Sequence, residues 1–331
     1  MMEKIKVVQM GLGPIGNKET QYLLERNTVE IVGAIDSDPA KAGQDVAALA
    51  GLPPIGVEVS TDVEQVLRRG GVDVLVLTTT SGLASVHGQL AQLLPYRVHI
   101  VSSCEELSYP WQTNHDLSAR IDRLARDNGV AVLSTGVNPG FLMDFLPLVL
   151  TGVCRKVSRI RVERIQDATF RRIPFQQKIG AGLTPQGFAE KVKAGTLRHV
   201  GLTESIQMIA ASLGWTLDRT EDIITPIIAE RQTRTEAMEV KAGDALGVQQ
   251  IGRGVVAGEE RITMVFRAAI GEPDSRDRIL IEGDPTIDST IQGGVNGDVA
   301  TCAMLTNAIP SILKAPPGLR TMADFAPHHF L

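Results

Sequence analysis

The chain has 331 residues, 43% hydrophobic and 21% charged, the balance of an ordinary folded protein and far from that of a disordered one. At roughly 150 residues per domain, the length suggests two domains. A net charge of −5 argues against a general nucleic-acid binder, and no apolar run approaches the roughly 18 residues of a membrane span.

The first part alternates strand and helix signals. Residues 4–10 read as a strand, followed by a glycine turn and a helix over 15–26. No secretory leader is expected before that strand. Residues 30–35 form a second strand closed by Asp36. A helix over 39–49 follows, with Pro39 at its first position, then a helix over 63–69 opened by Thr61 and Asp62. Strands over 72–77, 97–102 and 130–133 alternate with helices over 81–94 and 115–127. Such alternation means βαβ units and a parallel sheet.

The pattern changes after the turn-forming run Gly136-Val137-Asn138-Pro139-Gly140. Long, half-exposed strands are expected over 156–166, 253–257, 261–270 and 278–282, with helices over 186–194 and 203–213. The fold class is α/β: a Rossmann doubly wound parallel sheet over 1–140, plus a second α+β domain with an open mixed sheet over 141–295. The apolar helix 298–313 is expected to pack back on the first domain. The free sheet face suggests a homodimer.

Gly11-Leu12-Gly13-Pro14-Ile15-Gly16 matches G-x-G-x-x-G, directly after a strand and opening a helix. Gly11 permits the tight turn, Gly13 lets backbone approach a pyrophosphate, and Gly16 lets helix pack on strand. The helix start supplies free N–H groups and a positive dipole end. Asp36, with Ser37 beside it, stands where an acid accepts hydrogen bonds from the ribose of NAD. Asp38 serves equally as a cap before Pro39. NAD(H) is the expected cofactor, with NADP(H) tolerated because Lys41 is near. Thr78, Thr79 and Thr80 follow the 72–77 strand. They read either as lining for the nicotinamide ribose or as a polar helix start.

Glu105 and Glu106 follow the 97–102 strand, where a carboxylate faces the cleft as general base toward an amine or imine. In an extended segment the two point to opposite sides, and alternation does not say which faces the ligand. Cys104 reads better as a buried thiol than as a nucleophile. The three cysteines, Cys104, Cys154 and Cys302, are isolated, without metal-ligand spacing. That suggests no metal and a reducing cytoplasm.

Four segments together resemble the 2,4-diaminopentanoate dehydrogenase family, which includes the native amine dehydrogenases. They are Gly11–Gly16, the run Ser103-Cys104-Glu105-Glu106-Leu107-Ser108-Tyr109-Pro110, the run from Gly136 to Asp144, and Asn296-Gly297-Asp298 with the helix ending Asn307-Ala308-Ile309-Pro310. The wider kinship resembles dihydrodipicolinate reductase and diaminopimelate dehydrogenase. The resemblance implies a Rossmann domain, a dimerising second domain, and NAD(P)H-dependent interconversion of a carbonyl plus ammonia with a primary amine. It puts the catalytic glutamate at Glu105, with Glu106 as second choice.

Asn138 can offer an amide to cofactor or substrate, and Pro139 stiffens its turn. Phe141, Met143, Phe145, Phe170 and Phe175 are candidate walls of an apolar pocket, with Thr301 beside them. Arg164, Arg171 and Arg172 are candidate partners for a substrate carboxylate, though solvated arginines are the plainer reading. Aromatics make up 4% of the chain. They are sparse before residue 96, where only Tyr22 occurs, and gather near these positions. Two other functions compete with amine dehydrogenation: reduction of a preformed imine, and an NAD(H)-responsive sensor that would not need the acid pair.

Overall fold

The computed structural model describes residues 4–171, 173–236 and 238–330. It divides into two compact units. One comprises residues 1–141 with 296–331, the other 142–295.

The first unit begins with β1 (Ile5–Met10), α1 (Pro14–Leu24), β2 (Val29–Ile35), α2 (Val46–Leu49), β3 (Val59–Ser60) and α3 (Val63–Leu67). It continues with β4 (Val74–Leu77), α4 (Leu83–Leu93), β5 (His99–Ser102), α5 (His115–Asp127) and β6 (Ala131–Ser134). The second unit holds α6 (Phe145–Thr151), β7 (Lys156–Asp167), α7 (Ile173–Lys178), α8 (Pro185–Lys193), α9 (Leu202–Ser212), β8 (Arg219–Ile228), β9 (Thr233–Arg234) and β10 (Glu239–Val240). It closes with β11 (Ala245–Val256), β12 (Glu259–Ala269), β13 (Arg276–Asp284) and β14 (Ile287–Gln292). The chain then returns to the first unit with α10 (Gly297–Ile312) and β15 (Gly318–Arg320).

The first unit's strands form one parallel sheet in the order β15-β6-β5-β4-β1-β2-β3. This is the doubly wound class expected from sequence. The order reverses at β1, which has β2 on one side and β4 on the other, and ligands bind at such a switch point. The core is aliphatic: Val8, Leu75, Leu77, Ile100 and Val132 of the strands meet Val86, Leu90 and Leu93 of α4 and Ile121 of α5. Burying each such side chain contributes about 1.5–3 kcal/mol. Helix α5 shows how the sequence builds an element. Asn114 caps it by accepting from the Leu117 amide at 3.3 Å, Asp116 lies in the first turn and Arg126 in the last. Ser118, Ile121 and Ala125 recur at three and four residues and form its buried face. Gly129, with φ 72°, ends it.

The 39–49 helix is interrupted. Pro39–Lys41 is a single 3₁₀ turn capped by Asp38, and Gly43 takes φ 75°. The Asp45 carboxylate then starts α2 afresh, accepting from the Ala47 amide at 2.9 Å and the Gly56 amide at 2.7 Å. A side chain bonding to backbone in this way competes with continuous helix.

The second unit's main sheet has the order β14-β13-β7-β12-β11-β8, with β7 and β12 parallel and the other neighbours antiparallel. This is the expected open mixed sheet. Alternation gives β7 two faces. Ile160, Val162 and Arg164 share one; Arg159, Arg161 and Glu163 share the other, where Arg276 also bonds Glu163 at 2.9 Å. Gly252 and Gly254 of β11 admit α9: a Cβ there would meet Ile206 at 2.9 and 2.8 Å. Strands β8 and β14 went unforeseen because their polar, half-exposed sequences carry little apolar alternation.

Candidate active site

The Gly11–Gly16 turn joins β1 to α1. Gly11 has φ 90°, and a Cβ on Gly16 would meet the Gly11 carbonyl oxygen at 1.8 Å, so both positions require glycine. A Cβ on Gly13 would meet nothing within 4 Å. That opening beside the start of α1 fits a phosphate approaching bare backbone, with Leu12, Pro14 and Ile15 shaping the turn. Gln9 is fully buried, and its amide donates to the Gly11 carbonyl at 3.1 Å and to Thr78 Oγ1 at 2.9 Å. The Thr78 hydroxyl donates in turn to Gly11 O at 2.8 Å. Sequence reading passed over Gln9, although a polar residue inside the apolar run Val7-Val8-Gln9-Met10 is the kind of signal that marks such a brace.

Asp36, at the end of β2, is 8% exposed. Its carboxylate accepts from the Leu12 amide at 2.6 Å, the Asp38 amide at 2.9 Å and Lys41 Nζ at 2.9 Å. Burial works to raise its pKa. The bonds from Asp38, Lys41 and Leu12 outweigh that and hold it below the usual carboxylate value. Asp36 therefore joins the glycine turn to the segment after β2. Ser37 beside it is exposed.

The threonines after β4 serve the protein's own backbone and side chains. Thr78 braces the glycine turn, Thr79 Oγ1 donates to Gln89 Oε1 at 2.6 Å, and Thr80 Oγ1 accepts from the Gly82 amide at 3.2 Å.

Residues Glu105–Leu107 form a 3₁₀ turn, not the extended segment expected. Glu106 Oε2 accepts from the Leu83 amide at 2.8 Å, so this carboxylate caps α4. The Glu106 amide also donates to Ser81 O at 3.2 Å. Among the described residues the Glu105 carboxylate makes no hydrogen bond or ion pair, and the residue is partly exposed. Cys104 is fully buried, and burial first, then the neighbouring glutamates, push its thiol up to about 12. A thiol so hard to ionise is no nucleophile at neutral pH.

Asn138 is 8% exposed, in the turn after β6. The Val137 amide donates to Thr301 Oγ1 at 3.3 Å, so α10 holds this turn from within the same unit. Thr135, also unforeseen, is 3% exposed with a hydroxyl that has no partner among the described residues. The expected pocket residues scatter. Pro139 is buried and Phe141 partly exposed, both in the first unit. Met143 and Phe145 are buried in the second, and Phe170 stands 92% exposed. Arg164 is 3% exposed and committed to Asp277 at 2.8 Å and the Val295 carbonyl at 3.0 Å. Arg171 lies over the Phe175 ring at 4.2 Å. Arg172 lies outside the described residues.

Residues 141–331 match the family model of the 2,4-diaminopentanoate dehydrogenase C-terminal domain, and residues 5–103 match that of the dihydrodipicolinate reductase N-terminus. A 2,4-diaminopentanoate dehydrogenase of Acetoanaerobium sticklandii is 34% identical, over 98% of this chain and 94% of its own. The chain belongs to the 2,4-diaminopentanoate dehydrogenase family. Like other members of that family it is a dehydrogenase, an oxidoreductase of the amine dehydrogenase type. The amine dehydrogenase structure from Mycobacterium smegmatis superposes with a TM-score of 0.86 at 27% identity, over 99% of this chain and 97% of that one. A 4-hydroxy-tetrahydrodipicolinate reductase of Moorella thermoacetica is 34% identical over only 28% of this chain. Kinship to the reductases by sequence thus falls in the nucleotide-binding part. Among the described residues, no helix is long and apolar enough to cross a membrane.

Proposed function

We propose that this member of the family oxidises a primary amine, 2,4-diaminopentanoate or a short alkylamine, to the carbonyl compound and ammonia, reversibly and with NAD(H). The observation that carries the site assignment is the division of work between two adjacent acids. Glu106 is spent on the α4 amide at Leu83, while Glu105 keeps a carboxylate with no protein partner among the described residues.

The residues around the glycine turn fit a dinucleotide. The backbone of Gly11–Gly16 and the start of α1 would hold its pyrophosphate, and Asp36 with Ser37 its adenine-side ribose. Asp36 is ionised at neutral pH, which favours ribose hydroxyls over a 2′-phosphate and supports NAD(H), while Lys41 leaves room for NADP(H). Asn138 would offer its amide toward the same crevice. When bound, the nicotinamide supplies the two-electron redox chemistry. Glu105 handles the protons. It removes one from the substrate ammonium, leaving the free amine that can be oxidised. After releasing that proton to solvent, Glu105 takes one from the water that adds to the substrate's imine carbon, and passes it to the departing nitrogen. The protein's share is orientation and proton placement.

The charged open face of the second sheet, together with exposed Ile223, Ile228 and Ile291, supports a homodimer. The free cysteines support a cytoplasmic location. The test is NAD⁺ reduction across 2,4-diaminopentanoate and short alkylamines, with Glu105→Ala alongside. Turnover should fall by about a hundredfold or more while NADH still binds. Deamination by Glu105→Ala at near wild-type rate would remove this role from Glu105.

A further inference from the structure

On the dinucleotide reading given above, we propose that Gln9 is a positioning residue for the cofactor. From inside the first unit it fixes the peptide between Gly11 and Leu12, so that the glycine turn meets the pyrophosphate with N–H groups and keeps its Gly11 carbonyl turned away.

Packing does not explain a polar side chain here. Gln9 is fully buried and stands in the run Val7-Val8-Gln9-Met10 of β1. Its Oε1 is buried with no partner among the described residues. A stranded acceptor of that kind costs stability, and an apolar side chain of similar length avoids the cost. The use of Gln9 lies in its amide nitrogen, which donates to the Gly11 carbonyl at 3.1 Å and to Thr78 Oγ1 at 2.9 Å. A carbonyl oxygen only accepts, so the nitrogen of the amide must be the atom that faces it. The Thr78 hydroxyl gives its own hydrogen to Gly11 O at 2.8 Å, nearer than Met10 O at 3.3 Å, and keeps a lone pair for Gln9.

The peptide joining Gly11 to Leu12 is thus pinned at both ends. Gln9 and Thr78 hold its carbonyl. Its N–H, which a trans peptide points the opposite way, goes to Asp36 Oδ2 at 2.6 Å. Gly11 sits at φ 90°, and glycine lets an adjoining peptide turn over at little steric cost, so the hold has to come from outside the turn. Flipping this peptide would break all three bonds and turn the Gly11 oxygen outward, where it would repel a phosphate. With the carbonyl held inward, the first-turn amides of α1 are left to the ligand. They have no partner within the helix, and Gly13 supplies no side-chain cap.

Gln9→Met keeps the length and the apolar fit, and leaves Gly11 O with Thr78 as its donor. Its melting temperature should equal or exceed that of wild type, because the stranded oxygen is gone. Its affinity for NADH, titrated by fluorescence well below that temperature, should fall about tenfold. A residue that merely held the fold together would do the reverse. Thr78→Val removes the second donor and should weaken NADH binding as Gln9→Met does. Thr78→Ser keeps the hydroxyl and should bind as wild type does. NADPH is titrated alongside, so that a different choice of cofactor does not pass for lost binding. If wild type binds neither dinucleotide, the cofactor reading fails and the role of Gln9 with it. If wild type binds and Gln9→Met binds equally well, or if Gln9→Met lowers the melting temperature by several degrees, the cofactor reading stands and the role of Gln9 is overturned. Equal weakening by Thr78→Ser and Thr78→Val overturns it as well.

Discussion

The Thr306 hydroxyl of α10 donates to the carboxylate of Glu19 on α1 at 2.9 Å, joining two helices that lie almost three hundred positions apart in the sequence. Glu19 is fully buried, and burial raises its pKa to about 8 against the opposing pull of Thr306, Cys302 and Arg26. Between the ordinary value of 4.5 and about 8 the folded protein thus holds a proton that the unfolded chain has released. Stability contributed at this position is complete below the lower value and declines as pH rises through the window. Glu19→Gln keeps an oxygen for Thr306 without the charge. Thermal unfolding at pH 5 and pH 8.5 should show wild type losing several degrees more than the variant. Parallel losses would mean that Glu19 does not titrate there.

The glycine turn separates folding from binding. Gly16→Ala drives a methyl into the Gly11 carbonyl at 1.8 Å and should destabilise the protein by several kcal/mol. Gly13→Ala meets nothing within 4 Å, so the melting temperature should hold while NADH affinity drops at least tenfold. Denaturation curves and NADH fluorescence titrations distinguish the two. Intact NADH binding by Gly13→Ala would show that the phosphate does not lie there.

On the proposed NAD(H) reading, cofactor choice would turn on Asp36, which pairs with Lys41 at 2.9 Å. Asp36→Ser removes the negative charge and releases Lys41, so the kcat/KM ratio should move toward NADPH by about tenfold or more. Michaelis curves with both cofactors measure it. Wild type that already prefers NADPH tenfold would contradict the role given to Asp36.

The Arg164–Asp277 pair is almost wholly buried, with 3% and 5% of the two side chains exposed. Asp277→Ala strands the guanidinium and should lose about 3–5 kcal/mol in urea unfolding. The double variant Arg164→Met, Asp277→Leu should recover most of that. A mild single variant would mean that water or another acid reaches Arg164.

Much of the first sheet was legible because strands buried on both faces read as unbroken Val, Ile and Leu runs, as Val74–Leu77 does. The G-x-G-x-x-G turn between β1 and α1 was legible because a tight strand-to-helix turn needs glycine at fixed offsets. Which of Glu105 and Glu106 would cap α4 was not, since it depends on the Leu83 amide, 23 residues away. Nor was the use of the Thr78 hydroxyl, which hangs on Gln9 of another strand. Phe170 shows the limit of composition as a guide. A ring expected to wall a pocket stands at the surface, because its place was set by the turn after β7 and not by its hydrophobicity. Arg164 was read as solvated or ligand-binding. Its partner Asp277 is 113 residues away, beyond the reach of any local pattern.

The parallel sheet of the first unit is finished by β15 and flanked by α10, both supplied after residue 295. On a ribosome, where domains ordinarily mature from the amino end, this order is inverted. The second unit's whole sequence emerges while the first still lacks its last strand and the helix that meets Glu19. The first unit is therefore the last to have its full sequence, and a nascent chain stalled near residue 295 carries a glycine turn whose sheet still lacks β15 and whose α1 still lacks α10.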